Sequence, residues 1–503
     1  MTGNANPNAK ARTGGKAGFI SGIQFIVLAG LTVLLTTGCQ TYKDQNKVIG
    51  YWHQGNLASA ATEATKEADK NANNKDAIVW RLEQGAVLRA NGQYADSNKA
   101  FDQAQEKIDD YEQKAKVRLG QETGALLSNQ ANLDYEGRAY DGIMLNTYKA
   151  LNYLALGEPD KARPEIIRAY QRQQDAVAAN QRRIEKTKEE AEQQKDSATI
   201  NRAQENPKFQ ADLQNSMSAI NNIKVYADYV NPFTVYLDGL YFMANAADAS
   251  DIERADKSLQ RVASVVPDNR YVKEDVASVQ NLLNGKPLTP TTYVIFETGC
   301  APIRDQQRID IPIIFSKVSY VGAAFPVIVP QGNYQPVLTV TADGSHYNTE
   351  TVASMDSVVV KDFRNELPVV VIKTIAATVT KAVAAYLAND AARQQKNDWV
   401  SLLVQTATAA YQMAVNIADT RTWTTLPKEF QVCRFPTPAD GKIELSTPDG
   451  MRMPVTLTFG TGAKIDLTST NAQATLNSSG AVNVVYVKSI TSGTPLLVSQ
   501  FKL

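Results

Sequence analysis

Few residues of this chain have side chains that could do chemistry. Its 503 residues include three cysteines and two histidines, the types most used for metal binding and for proton transfer near neutral pH. Asp343, Ser345 and His346 have the side chains of a hydrolase triad, but residues this close in sequence do not readily form a nucleophile–base–acid line. No Gly-x-Ser-x-Gly motif supports a nucleophile elsewhere. We therefore predict no catalytic residue, metal or cofactor. The enzymatic alternative is a carboxylate-based hydrolase whose acidic pair the spacing does not reveal.

Cys39 is the residue whose surroundings predict a covalent modification. Residues 1–38 contain three basic and no acidic side chains, and their apolar run from Phe25 to Leu35 is too short for a stable membrane span. The sequence Leu35-Thr36-Thr37-Gly38-Cys39 resembles a bacterial lipobox, although Leu usually occupies the place of Thr36. The resemblance implies a signal peptide over residues 1–38, cleavage before Cys39, and acylation that anchors the protein to a membrane.

The position after Cys39 predicts which membrane holds the anchor. Gln40 lies where inner-membrane retention signals have Asp, so we expect the outer membrane, with the protein facing the periplasm. The alternatives are an uncleaved anchor helix and an ordinary secretory signal with a chance cysteine. Subtracting the three bases of residues 1–38 from 52 leaves 49 basic against 52 acidic side chains. This balance gives no long-range attraction for nucleic acid.

Cys300 and Cys433 are the other two cysteines, and both lie in the second half of the chain. In an oxidising periplasm they could form a disulfide. The alternative is two buried free thiols, because spacing does not show proximity.

Helix pairs are predicted in a first domain over residues 39–285. Small residues where two helices touch, large residues between them and a tight turn are typical of the tetratricopeptide (TPR) repeat. The three units of this spacing are Gly85, Leu88, Gly92, Tyr94, Phe101 and Ala104; Ala150, Tyr153, Gly157, Ala162, Ile166 and Ala169; and Gly239, Phe242, Ala255, Leu259 and Pro267. Because the units are not contiguous, a generic helical bundle remains the alternative.

A TPR-like solenoid would bind proteins through its concave face. We expect that face to come from the first helix of each unit, and the candidate contacts are Arg81, Asn146 and Tyr236. Residues 171–220 are rich in Gln, Glu, Lys and Arg, which predicts a charged helical insertion with a break at Asn206-Pro207. This insertion is either a protruding arm that binds a partner or a solvated face of the helical domain.

The pattern changes to strands at Gly285-Lys286-Pro287. We predict a mixed α+β domain over residues 286–435, which includes an Ala-rich helical hairpin over 356–419, and a small antiparallel β region over 436–503. Pro368 to Leu387 is apolar, but Lys373 and Lys381 would be costly in a bilayer, so we expect the hairpin to pack against protein. The fold class is thus a multidomain α+β protein with a TPR-like all-α solenoid at its amino terminus.

Three stretches carry a family resemblance: YKALNYLALGEPDKA, NPFTVYLDGLYF and ADTRTWTTLPKEFQV. Together with the lipobox they resemble a family of uncharacterised bacterial outer-membrane lipoproteins that contain TPR repeats. The resemblance implies helical repeats followed by an α+β region, and it supplies no catalytic residues. Genes of such proteins can lie beside genes for lipoprotein activators of cell-wall synthases, which implies a link to peptidoglycan by association only.

Two non-enzymatic functions follow from these predictions. The first is a lipid-anchored periplasmic scaffold or adaptor that binds envelope proteins through its TPR-like repeats and can also form oligomers. The second is a regulator of peptidoglycan synthesis or envelope assembly.

Overall fold

Paired helices form most of the first half of the protein in its computed structural model. The structure describes residues 47–117, 130–194, 196–227, 230–315, 318–394, 417–458 and 482–503. The signal peptide and Cys39 therefore lie outside the described residues. The helices are α1 (residues 47–53), α2 (Leu57–Lys70), α3 (Ala77–Ala90), α4 (Tyr94–Val117), α5 (Ala139–Ala155), α6 (Pro159–Glu192), α7 (Ser197–Gln204), α8 (Pro207–Ser216), α9 (Pro232–Ala244), α10 (Ala249–Val265), α11 (Arg270–Leu283) and, later in the chain, α12 (Met355–Gln394). Short 3-10 turns cover Gln130–Asn132 and Ser218–Ile220.

Local sequence signals set several helix starts. The side chain of Asn231 accepts hydrogen bonds from the amides of Phe233 and Thr234 and so caps α9. Asn206 caps α8 in the same way, and proline follows directly in both helices, where its missing N–H costs nothing. The predicted break at Asn206-Pro207 is therefore confirmed.

The helices α3 and α4, α5 and α6, and α9 and α10 form neighbouring pairs. A Cβ atom on Gly85 would lie 2.4 Å from the ring of Phe101, and one on Gly239 would lie 2.7 Å from Leu259, so glycine permits both close approaches. Gly92 has a φ of 73° in the turn between α3 and α4, a conformation that glycine adopts without strain.

The remaining positions of the predicted repeats also lie in these pairs or their turns. Those that are almost fully buried are Leu88, Ala104, Ala150, Ala162, Ile166, Ala169, Phe242, Ala255 and Leu259. Gly157 lies in the turn between α5 and α6 with a φ of 75°. Tyr94 and Tyr153 are partly buried against the core, and Pro267 follows α10.

Three sheets form the second half. The strands are β1 (Thr291–Thr298), β2 (Ile303–Phe315), β3 (Val318–Val329), β4 (Thr339–Ala342), β5 (Ser345–Asn348), β6 (Glu350–Ser354), β7 (Glu429–Pro436), β8 (Lys442–Ser446), β9 (Arg452–Thr456), β10 (Val482–Ser489) and β11 (Leu497–Lys502). The largest sheet has the order β11-β10-β1-β7-β6, and every residue of its central strand β1 is buried. The others are the hairpin β2-β3 and the sheet β5-β4-β8-β9.

Pairing across residue 436 contradicts the predicted separate β region at 436–503. Strand β1 pairs with β10 in parallel and with β7 antiparallel, and β8 pairs with β4. The carboxyl-terminal strands thus complete two sheets that begin before residue 436. Local patterning could not show this, because strand order depends on contacts between distant segments. Asp343 and Gly344 both have positive φ in the turn between β4 and β5.

The charged insertion at 171–220 does not stand off the molecule as a free arm. Its first part continues α6, and the later helices α7 and α8 pack against β2, while α7 also packs against α12. Phe209 of α8 is fully buried with its ring centroid 5.7 Å from that of Phe325 in β3. The prediction missed this contact because the few apolar residues of the segment are widely spaced among charges.

Of the predicted helical hairpin at 356–419, the structure describes one helix, α12, which contains Pro368. Residues 395–416 of the predicted hairpin lie outside the described residues, and residues 417–419 are not helical. Within the described ranges, no helix combines the length and the apolar character needed to cross a bilayer.

The hydrophobic core is continuous across the predicted boundary at residues 285/286. Buried Val87 and Tyr148 of the helices belong to the same cluster as Val294 and Val485 of the large sheet. That boundary marks a change from helix to strand, and the helices and the sheet share one core rather than forming separate domains.

Candidate functional site

An irregular segment, Ala418–Pro427, runs between the helix pairs and the large sheet; we call it the junction loop. It is neither helix nor strand, yet most of it is buried. A buried loop must find partners for its polar groups, because water is not there to supply them. The contacts of this loop therefore show how the two halves are joined.

Arg421 makes the most hydrogen bonds in the junction loop. Its guanidinium donates to both carboxylate oxygens of Asp419, at 2.8 and 3.0 Å, and to Asp76 at 3.1 Å. It also donates to the backbone carbonyls of Lys75, Gln130 and Leu133 at 2.9–3.2 Å. One side chain thus joins the loop to the start of α3 and to the segment before α5.

Trp423 is fully buried between two helix pairs. Its ring centroid lies 5.7 Å from that of Phe101 in α4 and 5.8 Å from that of Tyr148 in α5. The indole N–H donates to Thr425 Oγ1 at 3.0 Å, so this polar group is also paired.

Glu83 of α3 accepts four hydrogen bonds from the junction loop. The amides and hydroxyls of Thr424 and Thr425 donate to it over 2.6–3.2 Å. Burial raises the pKa of Glu83, although these hydrogen bonds oppose the rise. The carboxylate therefore joins a helix to the loop and is not free to react with a ligand.

A second buried carboxylate, Glu297 of β1, joins the large sheet to α5. Tyr148 Oη donates to Glu297 at 2.8 Å, and Tyr486 and Lys488 of β10 also contact it. The guanidinium of Arg89 lies 5.3 and 4.8 Å from the ring centroids of Tyr148 and Tyr486. Burial alone would raise the pKa of Glu297, but Lys488 and Arg89 lower it.

A small cavity lies beside the junction loop. Its volume is about 40 Å³, and Arg304, Glu366 and Asp419 are among the residues that line it. Glu366 of α12 accepts from Arg138 and from Arg304, each at 2.6 Å. Arg138 also donates to the carbonyl of Arg421 at 3.1 Å, which links this cluster to the loop. A cavity of this size has room for water molecules but not for a sugar or a peptide.

The cavity tests the hydrolase alternative, because two carboxylates line it. Burial would raise the pKa of Glu366, but Arg138 and Arg304 hold this pKa well below its usual range. The pKa of Asp419 is also lowered against its burial, by Arg421. A two-carboxylate hydrolase needs one carboxyl group that keeps its proton near neutral pH. This pair does not provide that acid.

Asp362, one turn before Glu366 on α12, titrates differently. Burial and the nearby charge of Glu366 raise its pKa to about 6, although Arg138, Arg304 and Arg183 oppose the rise. Asp362 does not line the cavity, so it does not supply the missing acid.

The proposed contacts Arg81 and Asn146 are buried, which contradicts their assignment to an open concave face. Arg81 pairs with Asp69 at 3.0 Å and donates to Gln84 at 2.7 Å. Asn146 donates to Glu165 at 2.6 Å inside the pair α5–α6. Both side chains hold neighbouring helices together.

Tyr236, the third proposed contact, is also fully buried. It donates to Asp275 of α11 at 2.7 Å, and Asp275 also accepts from Tyr293 of β1 at 2.6 Å and contacts Arg434 of β7. The physical reason for the error is that the large sheet covers the face which a free-standing solenoid would leave open.

Of the two alternatives for Cys300 and Cys433, the structure shows two buried free thiols and not a disulfide. Cys433 lies opposite Val294 near the middle of β1, whereas Cys300 follows the end of that strand. At about 3.3 Å per residue, the end of β1 is already roughly 13 Å from Val294. A disulfide requires Cα atoms within about 7 Å. Burial raises the pKa of the Cys300 thiol to about 11, which disfavours the reactive thiolate.

The two histidines lie apart from each other. His346 in β5 is exposed, with Nδ1 2.9 Å from Thr341 Oγ1. His53 of α1 has Nε2 3.7 Å from Cys300 Sγ, and burial lowers its pKa. In the part of the chain that the structure describes, no cluster of three His, Cys, Asp or Glu side chains could hold a metal ion.

The three stretches that carry the family resemblance meet at this junction. Tyr148 begins the first stretch, Phe233 belongs to the second, and Trp423 and Phe430 belong to the third. The rings of Phe233 and Phe430 stack with centroids 3.9 Å apart, while Tyr148 packs on Trp423. No family model matches the chain, and comparisons with curated proteins and with solved structures give no match either.

Sequence reasoning did not identify the buried residues of the junction. Glu83 and Glu297 each lie within a largely apolar run, and an acidic residue in such a run was the available signal of a buried ionic contact. Glu366 follows charged residues and carries no such signal. The partners of these residues are up to 342 positions away, as for Glu83 and Thr425, so spacing could not identify them.

Proposed function

We propose that the protein is a lipid-anchored scaffold of the bacterial envelope that acts by contact with other envelope proteins. The amino-terminal signal pattern and Cys39 support an acylated anchor on the periplasmic side of the outer membrane. The three helix pairs, with small residues opposite large ones, support a TPR-like kinship for the helical half.

The observation that carries the proposal is the use of the buried charged groups. Glu83 joins α3 to the junction loop, Glu297 joins β1 to α5, and Glu366 joins α12 to strand β2. A protein whose ionic groups connect its own elements is suited to hold a fixed shape against a partner.

Helix α6 offers the surface best suited to a protein partner. Ile167 and Val177 are 39% and 44% exposed, and Tyr170 and Gln174 lie between them at the a/d spacing of a helical stripe. The proposed partner would cover this stripe, since large exposed apolar side chains on a charged helix are costly to leave in water.

A photo-crosslinking amino acid placed at Ile167 or Val177 in living cells tests the scaffold. We expect both positions to give adducts with the same envelope protein. The matched control is Lys257 on α10, whose side chain is 79% exposed and which should not give that adduct. Identical adducts at all three positions would contradict a specific surface on α6.

The anchor is tested separately. Cys39→Ala should move the full-length protein from the outer-membrane fraction to another cell fraction, because no acyl chain could then be attached. A variant that stays firmly in the outer membrane would contradict lipid anchoring but would leave the proposed contact surface intact.

A further inference from the structure

Strand β2 has an open edge. Among the described residues β2 pairs only with β3. Helix α12 packs mainly along β3, whereas α7 and α8 pack against β2, and the amide of Ala418 donates to the Gln306 side chain at 3.1 Å. Four consecutive residues, Asp305 to Arg308, are exposed, although neighbouring residues of a strand point to opposite faces. Exposure at four successive positions shows that solvent reaches both faces of β2 over Asp305 to Arg308.

An open edge of this length can pair with another strand, since its outward amides and carbonyls have no strand partner in the described structure. Proteins usually prevent such pairing with charged side chains. The charges on β2 have a different arrangement: Arg308 and Asp310, whose side chains are 76% and 56% exposed, lie two residues apart on the same face.

We propose that β2 is a dimerisation edge, where it pairs antiparallel with β2 of a second copy in the register centred on Ile309. In this register Arg308 lies opposite Asp310 of the second copy, and Asp310 lies opposite its Arg308. Opposite charges in directly opposed positions stabilise a sheet. The two-fold arrangement closes on itself, so it gives a dimer and not a fibre.

Neighbouring registers are less favourable. In an antiparallel pair, directly opposed residues point to the same face of the sheet. For two copies of one strand this requires that one residue lies opposite its own copy, with the two-fold axis between them. Centred on Arg308, the two Arg308 side chains would oppose each other. Centred on Gln307, Asp310 would meet Arg304, which is buried and bonded to Glu366.

The surroundings of the two charged side chains permit this contact. Arg308 lies across Gly322 of β3 with Nε 3.9 Å from Asp310, and as an exposed side chain it can rotate toward a second copy. The nearby cation Lys208 of α8 is paired with Asp212 at 2.7 Å. Phe209 of the same helix packs on Phe325, whose side chain points to the opposite face from Arg308.

Charge reversal provides the test, with full-length protein in detergent and sedimentation velocity over a range of concentrations. The wild type should dimerise. Arg308→Asp places acids opposite acids, and Asp310→Arg places bases opposite bases. Each variant should weaken the dimer by roughly tenfold or more, because two attractive pairs become repulsive. An equimolar mixture of the two variants should form a heterodimer, in which every opposed pair is again attractive.

Arg452→Asp is the matched control. Arg452 lies on β9, the edge strand of another sheet, with 75% of its side chain exposed and Glu444 3.4 Å away. This variant should dimerise like the wild type. A monomeric wild type would overturn the proposal, and so would an Arg308→Asp dimer as stable as that of Arg452→Asp. Circular dichroism of each variant shows whether it is folded.

Discussion

The junction loop is irregular and buried, whereas the β2-β3 hairpin consists of strands and has an exposed edge. The loop has no regular secondary structure, yet Arg421 and Trp423 within it are buried and their polar groups are partnered. The hairpin has strands of 13 and 12 residues, yet the outer edge of its strand β2 has no strand partner among the described residues. The presence of regular secondary structure in a segment therefore does not show that the segment stabilises the rest of the protein.

The difference lies in the contacts that each segment makes with distant parts of the chain. The loop contacts α3, α4 and α5, whereas the outer edge of β2 has no strand beside it in the described ranges. We conclude that the loop contributes to the internal stability of the protein, and that the edge is available for association.

The largest effect should come from removing the arginine at the centre of the loop. Arg421→Ala removes the cation that pairs with buried Asp76 and with partly buried Asp419, and breaking a buried ion pair costs about 3–5 kcal/mol. The free energy of unfolding, from denaturant titration, should fall by about this amount. A loss below about 1 kcal/mol would mean that the loop does not stabilise the helices.

A substitution at Asp362, beside the loop, is expected to increase the free energy of unfolding. Asp362 has a pKa of about 6 in the folded protein, against about 4 when unfolded. Because the folded pKa is raised, ionisation destabilises the fold as the pH rises from 4 to 6, by up to about 3 kcal/mol. Asp362→Asn should therefore increase stability at pH 7 and make little difference at pH 4. A stability difference that does not change between pH 4 and 7 would contradict this account.

The helix pair next to the loop should be sensitive to one added methyl group. Gly85→Ala places a Cβ 2.4 Å from Phe101, and overpacking of this kind costs about 1–3 kcal/mol. Gly50→Ala is the control, since a Cβ there meets nothing within 4 Å and alanine favours helix. Thermal unfolding should show a lower midpoint for the first variant only. Equal midpoints would contradict close packing at Gly85.

The smallest effect is expected on the hairpin. Arg308→Ala removes the same side-chain type as Arg421→Ala, but from an exposed position, so unfolding should change by less than about 0.5 kcal/mol. The two substitutions are a direct comparison of the loop with the edge. A loss at Arg308 as large as that at Arg421 would show that the edge is part of the internal structure.

Local features were predictable from the sequence, whereas long-range contacts were not. The cap at Asn206, the turn at Asp343-Gly344 and the close approach at Gly85 depend on nearby residues or on one helix pair. The large sheet places residue 291 beside residue 482, and the loop joins Arg421 to Asp76. The local spacing of apolar and polar residues does not indicate such long-range contacts.

The errors in the candidate site have the same physical origin. Tyr236 was expected on an open face because an isolated helix repeat would expose it, but Asp275 and the large sheet cover that face. For Cys300 and Cys433 the sequence left a disulfide and two free thiols open, because only the register of β1 with β7 shows that the two residues are apart.

The central claim is that the junction loop makes the helices and the large sheet one cooperative unit. Native-state amide hydrogen exchange of the full-length protein, measured at increasing denaturant, tests it most directly. The account predicts that the slowest amides of α3 and of β10 exchange with the same free energy and that Arg421→Ala lowers both together. If α3 opened at a distinctly lower free energy than β10 in the wild type, the two halves would be independent and the claim would be wrong.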